Sequence, residues 1–426
     1  MFNVLVIAYY YPPLGLSGVQ RTLKFTKHMH QFGWKPTIIT TGKMAYFAHD
    51  LSLLNEAEQA NIEIIRTESL DPSSLLKKKG TVKMPSSLIM KLFSRISKTL
   101  FIPDNKLFWS RKAIHTARKE LNKKEYDAIY VSVPPFSTIE QATKLKEEFN
   151  IPLFVDYRDA WLTNQFRFYP TPIHKYMNKR LEDKTLRNVD RTLVVNRAVK
   201  EDLMNEYKFL SFNDVDILTH GFDPEDFDEV QPLPRTNDKL IIMYSGIFYE
   251  GITPKYILKA FKKLTLEFPD VASNIELHFV GHFKRENRRI VKRLKLQSFV
   301  KEIGYLTHTE AVKRIISSDV LWLMLPNDER MNNVTPGKIF EYFGTYKPIL
   351  ACLPEGISKS VISDYEASFI TKPNDIDEIK NAMLKIHKLF LANQLPKPNE
   401  EYVDKFNRIK LTKDLTKIFQ FYLKAE

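Results

Sequence analysis

The sequence predicts an α/β protein in which a doubly wound parallel sheet is built twice. Three observations carry that expectation. Short β-branched and aromatic runs alternate with longer helical patterns along almost the whole chain. The runs are apolar throughout rather than alternately polar, as strands covered on both faces must be. The pattern halts at 219–238, THGFDPEDFDEVQPLPRTND, which is rich in Pro, Asp and Gly, and then starts again. A chain of 426 residues divides naturally into two domains, each with its own core.

In the first half, strands are read at 4–8 (VLVIA), 36–40 (PTIIT), 62–66 (IEIIR), 128–132 (AIYVS), 152–157 (PLFVDY) and 191–196 (RTLVVN). Helical patterns such as 19–32 and 138–149 lie between them. The second half offers strands at 240–246, 275–281, 300–305, 320–325 and 347–353. A helical segment from 400 onwards has no strand after it, so it is expected to fold back across the other domain. The expected organisation is a first domain at 1–218, a linker at 219–238, a second domain at 239–399 and a returning segment at 400–426. Ligands of open α/β sheets bind beyond the carboxyl ends of the strands. Two such domains facing each other would enclose a cleft lined by loops from both.

Composition narrows the function. The single cysteine, Cys352, follows an apolar run, which excludes an internal disulfide framework and points to an inert buried thiol. The start, MFNVLVIAYYYPP, has no basic leader and reads as a buried first strand. No run approaches the roughly 20 apolar residues of a spanning helix. These features predict a cytoplasmic chain whose membrane contacts are peripheral. A formal net charge of +13 calls for an acidic partner. Nucleic acid is not expected, because no aromatic stacking platform or known binding motif accompanies the charge.

Chemistry concentrates in loops that follow strands. After the first strand, AYYYPPLGLSGVQRTLKF ends the strand with two prolines, and Gly15 and Gly18 allow close backbone approach where a helix begins. It is neither a Walker A loop nor a GxGxxG fingerprint. VSVPPFST (131–138) and FVDYRDAW (154–161) also follow strands. Asp156 reads as a capping or linker-facing carboxylate, and Arg158 with Asp159 as a structural ion pair or as functional charge. In NNVTPGKIFEYFGTYKPIL (332–350), Pro336 suits a helix start, Lys338 adds a positive charge there, and Glu341 follows one turn later. That cluster reads either as a site for a phosphate bearing a sugar or as a capped surface helix. The pair Asp214 and Asp216 forms a DxD, a pattern frequent by chance, and no histidine or cysteine framework for a metal is present, so no metal is expected.

Taken in order, YYPPxxGxSGVQRTLKF, VSVPPFS, VDYRDAW, HGFDPEDF, YSGIFY and NVTPGKIFEYF-x5-PIL resemble the family 4 retaining glycosyltransferases of bacterial surface-polysaccharide assembly. The resemblance runs across nearly the whole chain. It implies the GT-B fold of two facing Rossmann-like domains, and a nucleotide-diphosphate sugar held by the second of them. By that resemblance Lys338 would neutralise the diphosphate, with backbone donors around Thr335 and Gly337. Glu341 would accept ribose hydroxyls, and Tyr305 would lie at the nucleobase through its backbone. Gly246 joins the donor-binding set, and Gly15 and Gly18 would approach the donor from the first domain. Arg158 and Asp159 would face the reacting centre or the acceptor, so that Arg158, Asp159 and Lys338 form the expected catalytic set.

The chain also departs from the family pattern. Asn333 stands where many members carry a first glutamate that touches the donor sugar. YSGIFYEGITPK lacks the usual Arg, leaving Lys255 as a substitute, and His220 replaces the Asn that usually opens the linker. The implied activity is metal-independent transfer of a sugar to a glycan or lipid-linked acceptor, with no cofactor beyond the nucleotide-sugar substrate. A GT-B nucleotide-sugar 2-epimerase and a non-catalytic, membrane-associated assembly protein are the alternatives. Between 77 and 124 bases far outnumber acids, and Leu88, Ile89, Leu92, Phe93, Ile96 and Leu100 share one helical face. Such a helix suits either an anionic membrane surface or packing on the first domain.

Overall fold

The computed structural model describes all residues except 16, 43, 47, 69–79, 82–94, 165–166, 229, 249–250 and 424–426. The chain divides into two compact units, 1–220 with 409–426, and 221–408. The linker read at 219–238 is not a separate element, because from Gly221 it belongs to the second unit. Residues 400–408 also group there, and only 409–426 join the first unit.

The first unit is built on a seven-stranded parallel sheet. Its strands are β1 (Phe2–Ala8), β2 (Trp34–Thr41), β4 (Glu63–Thr67), β6 (Ala128–Val133), β7 (Leu153–Tyr157), β8 (Arg191–Val194) and β9 (Val215–Ile217). They lie in the order β4-β2-β1-β6-β7-β8-β9, and the short β3 (Ala45–Tyr46) and β5 (Gly80–Thr81) pair separately. Every residue of β6 and β7 is buried, as continuous apolar runs require. The helix Arg408–Leu423 covers this sheet: Leu411, Leu415 and Phe419 are buried, and the Phe419 ring lies 4.6 Å from Phe154 and 5.1 Å from Trp34.

The second unit has six parallel strands: β10 (Leu240–Ser245), β11 (Ile275–Val280), β12 (Val300–Gly304), β13 (Val320–Met324), β14 (Ile349–Cys352) and β15 (Ser368–Thr371). Their order is β12-β11-β10-β13-β14-β15. In each sheet the order reverses once, between β1 and β6 and between β10 and β13, and these switch points are where open α/β sheets leave a crevice. Strands β9 and β15 are short edge strands with polar residues, and the sequence reading missed both.

Two buried polar clusters brace the first unit. Arg21, on the helix Ser17–His28, meets Asp156 at the end of β7 at 2.7 Å, with both side chains fully buried. Its remaining donors reach the carbonyls of Leu218 and Thr219 at 2.8 and 2.7 Å. The guanidinium is thereby satisfied, as a buried ion pair requires. Glu182 accepts from the Leu162 N–H and the Tyr207 hydroxyl, both at 2.9 Å, and burial pushes its pKa up to about 7. Of the basic apolar segment, Leu88, Ile89, Leu92 and Phe93 lie outside the described residues, whereas 95–100 is helical with Ile96 and Leu100 exposed. No helix among the described residues is long and apolar enough to cross a membrane.

Candidate nucleotide site at the second switch point

Strand β10 runs out into Gly246, β11 into Gly281, and β12 ends at Gly304. All three have positive φ, at 134°, 113° and 92°, which glycine adopts without strain. The Gly246 N–H donates to the Val280 carbonyl at 2.9 Å and the Gly281 N–H to the Gly304 carbonyl at 2.7 Å. A Cβ on Gly281 would collide with the Gly246 carbonyl. Three strand exits thus pack backbone against backbone. The sequence carried the signal as YSG, FVG and EIG, each closing a strand.

After β13 the chain reaches the helix Lys338–Phe343, two residues later than Pro336 led one to expect. Tyr342 pins it: the hydroxyl accepts from the Ser245 N–H at 3.0 Å and donates to the Trp322 carbonyl at 3.4 Å. Phe343 stacks on Tyr365 at 4.3 Å, which fixes the helix from its other side. Lys338 is therefore delivered to the end of β10. Its ammonium donates to the Tyr244 hydroxyl at 2.6 Å and stands 3.8 Å from the centre of that ring. The ring is itself held by stacking on Phe248 at 4.5 Å. A Cβ on Gly246 would stand 2.7 Å from the Lys338 Nζ, so the glycine makes room for the ammonium. Desolvation pushes the Lys338 pKa down to about 7, against the opposing pull of Glu341. The helix is only six residues long, so the lysine outweighs any macrodipole as a source of positive charge.

Glu341 accepts from His308 Nε2 through Oε1 at 3.1 Å, leaving Oε2 without a partner among the described residues. His308 opens the helix His308–Ile316, which Thr307 and Glu310 start with a reciprocal capping box. Tyr305, just before it, stacks on His282 at 5.2 Å between ring centres. The loop carrying Asn333, Thr335 and Gly337 is clamped from one side. Ser358 donates to the Val334 carbonyl at 2.6 Å, and the Ile357 N–H donates to the Asn332 carbonyl at 2.8 Å. Thr335 is buried and Asn333 half-buried. The structure thus brings Gly246 to Lys338 and, through His308, ties Glu341 to the exit of β12. The sequence reading had not singled out Tyr244, Gly281, His282 or His308 for this site.

The first switch point is closed differently. Arg158 forms no ion pair with Asp159. Its Nη1 donates to the Gly18 carbonyl at 2.8 Å, its Nη2 to Pro134 at 2.7 Å and its Nε to Val133 at 3.2 Å. Gly18 is needed because a Cβ there would run into that guanidinium. The Gly15 N–H is spent on the Ala48 carbonyl at 2.6 Å. The ion pair with Asp159 expected from the sequence is thus not formed, and the Arg158 side chain instead ties the start of the helix Ser17–His28 to the exit of β6. Asp159 is exposed and has no hydrogen-bond partner among the described residues; partial desolvation raises its pKa and Arg158 opposes the rise. The acids of the DxD are both engaged: Asp214 caps its own short helix with Ser211, and Asp216 pairs with Arg191 at 2.9 Å. Cys352 is buried, with its pKa pushed up to about 11 by burial.

No family model and no curated protein matches this chain. Solved structures share its fold. A glycosyltransferase from Rickettsia africae superposes with a TM-score of 0.64 at 14% identity, covering 100% of this chain and 99% of its own. HepE from Anabaena, in complex with UDP, gives 0.61 at 12% identity, covering 99% and 100%. A protein assigned as a UDP-N-acetylglucosamine 2-epimerase from Listeria monocytogenes gives 0.57 at 12% identity, covering 100% and 97%. At these identities the likeness establishes the architecture, a two-domain α/β fold of the kind seen in GT-B glycosyltransferases.

Proposed function

We propose that this chain transfers a sugar, with retention at the anomeric carbon, from a nucleoside-diphosphate sugar to a glycan or lipid-linked acceptor in cell-surface polysaccharide synthesis. One observation carries the reading: a lysine with a lowered pKa stands at a topological switch point, with a glycine clearing the space beside it. An ammonium held on an aromatic face with little water around it gains from a diphosphate more than a solvated lysine would. A glycosyltransferase and a protein in complex with UDP that share this fold support the same ligand class.

In the reaction the bond between the anomeric carbon and the phosphate oxygen breaks, and the acceptor hydroxyl forms the new bond. The acceptor proton passes to the departing phosphate. Lys338 stabilises the charge that gathers on that phosphate, in the role a divalent cation plays elsewhere. Glu341, held through one oxygen by His308, offers the other to ribose hydroxyls. Under this reading no metal or further cofactor takes part. The enzyme works in the cytoplasm at the inner face of the plasma membrane, where the excess of bases over acids in the sequence at 77–124 favours anionic lipid. Calorimetric titration with UDP, GDP and their sugars tests it. Binding of one nucleotide with hydrolysis or transfer of its sugar is expected. Absence of all nucleotide binding rejects the proposal, and release of a free epimerised sugar replaces it with the epimerase reading.

A further inference from the structure

The helix Arg285–Leu294 carries positive charge in a way that a merely solvated face does not. Asn287 and Val291 are its buried residues, while Arg285, Arg288, Arg289, Lys292 and Arg293 are exposed, as is Lys295 just after it. Glu286 is the one acid in the helix. Like charges therefore stand four residues apart at Arg285–Arg289, Arg288–Lys292 and Arg289–Arg293, an arrangement that weakens a helix. Lys284 and Arg285 also stand at its start, where the macrodipole disfavours a cation. The neighbouring helix Lys255–Glu267 balances its charge by pairing with the helix Ile376–Leu391: Lys263 meets Asp377 at 2.6 Å, and Glu267 meets Lys380. On Arg285–Leu294 only Arg288 is paired, with Glu302 of β12 at 2.7 Å, and the other exposed cations have no ion-pair partner among the described residues. That pair ties the helix to the edge strand of the sheet, where Lys301 is exposed as well. Over 284–301 eight basic residues face one acid, which accounts for more than half of the chain's net charge of +13.

The character of this surface narrows the partner. No exposed apolar side chain lies on the helix, so it has neither the apolar face of a membrane-lying helix nor the apolar centre of a protein interface. No exposed aromatic ring is there to stack a nucleobase. Four of the six exposed cations at 285–295 are arginines, whose planar fork suits a carboxylate or a phosphate. A hydrophilic polymer with repeated acidic groups meets all of these conditions. Position supplies the purpose. The helix opens four residues after Gly281, so Arg285 lies within about 14 Å of the strand exit that packs on Gly246 beside Lys338.

We propose that the exposed face of the helix Arg285–Leu294, continued by Lys295 and Lys301, binds an acidic polysaccharide and holds its chain beside the nucleotide site. The arginines take its acidic groups in pairs of hydrogen bonds, and the like charges that weaken the free helix are neutralised by the polymer. The inference rests on the sugar-transfer reading for the role of that polymer, as acceptor or product. The charge that holds it requires no nucleotide.

Calorimetric titration of the full chain with size-fractionated oligogalacturonate, and with neutral dextran as the uncharged comparison, tests it. Binding of the oligogalacturonate that weakens as salt rises is expected, with none of dextran. The triple variant Arg289→Glu, Lys292→Glu, Arg293→Glu should weaken it by about tenfold or more. The triple variant Arg111→Glu, Lys119→Glu, Lys208→Glu makes the same change in net charge in the first unit and should stay within about twofold of the parent. All six side chains are exposed, so the far-UV circular dichroism of both variants should match that of the parent chain. Equal loss in the two variants, or no binding by the parent, overturns the proposal. Equal or tighter binding of polyglutamate or of duplex DNA assigns the surface to another polyanion and overturns the glycan. Titration of the same samples with UDP and GDP keeps the two readings apart. Nucleotide binding without oligogalacturonate binding overturns this inference alone, and the reverse result rejects sugar transfer while the glycan surface stands.

Discussion

Arg158 and Lys338 each stand at the switch point of a parallel sheet, one in each unit, and their surroundings differ in kind. Arg158 donates to three carbonyls, that of Gly18 at the start of the helix Ser17–His28 and those of Val133 and Pro134 at the exit of β6. Among the described residues Lys338 has one oxygen partner, the Tyr244 hydroxyl, and it lies against the face of that ring. A cation that donates through each of its three nitrogens to a backbone carbonyl is tied into the fold. A cation held on an aromatic face pays for its desolvation without full return, which its lowered pKa records. The count of satisfied donors, more than charge or position, separates a structural cation from one kept for a ligand.

The sharpest way to break this contrast is to remove the second cation. Lys338→Ala should lower turnover by about 10²–10³-fold, the usual effect of losing one preormed charge-stabilising donor. Its far-UV circular dichroism should be that of the parent. Turnover at the parent rate would remove Lys338 from the site.

Arg158→Ala should act on stability instead. It removes a donor from the carbonyls of Gly18, Val133 and Pro134, of which Val133 keeps the backbone N–H of residue 158 at 3.1 Å, at an expected cost of about 1–3 kcal/mol. Chemical denaturation measures this, and nucleotide affinity should stay within about twofold of the parent value. Undiminished stability together with lost turnover would return Arg158 to the catalytic set.

Gly246→Ala tests the space beside the lysine. The new Cβ needs a φ near 134° that alanine resists, and it meets the ammonium. A loss of about 1–3 kcal/mol in stability is expected, with weaker nucleotide binding. Unchanged binding would show that the cleared space does not serve the ligand.

The smallest expected effect is in pH dependence, and it has opposite sign in the two units. Glu182 has a raised pKa of about 7, so between its unfolded value near 4.5 and 7 the folded chain holds a proton that the unfolded chain has lost. Its contribution to stability therefore falls as pH rises through that window and is level above it. Lys338, lowered from 10.5 to about 7, is the reverse: the unfolded chain holds the extra proton between these values, so its contribution rises with pH. Glu182→Gln should flatten the acidic limb of a melting-temperature profile, and Lys338→Met the alkaline limb. For ligand binding the same lysine predicts proton uptake on nucleotide binding near pH 8, visible as a buffer-dependent enthalpy. Limbs that survive these substitutions would assign the slopes to other groups.

The sequence by itself determined the α/β class and the repeated sheet, because apolar runs of strand length and the spacing between them are properties of neighbouring residues. It also placed a helix start near Pro336 with Lys338 and Glu341 about one turn apart, and the structure builds the helix Lys338–Phe343 there. It could not find β9 and β15, since short edge strands such as VDI and SFIT gain their identity from pairing with β8 and β14. Nor could it tell Arg158 from Lys338. Their fates depend on groups far along the chain: Gly18 lies 140 residues from Arg158, and Tyr244 lies 94 from Lys338. Whether a charge is spent or spare is decided by which donors and acceptors the fold brings within about 3 Å of it, and only the tertiary structure sets those distances.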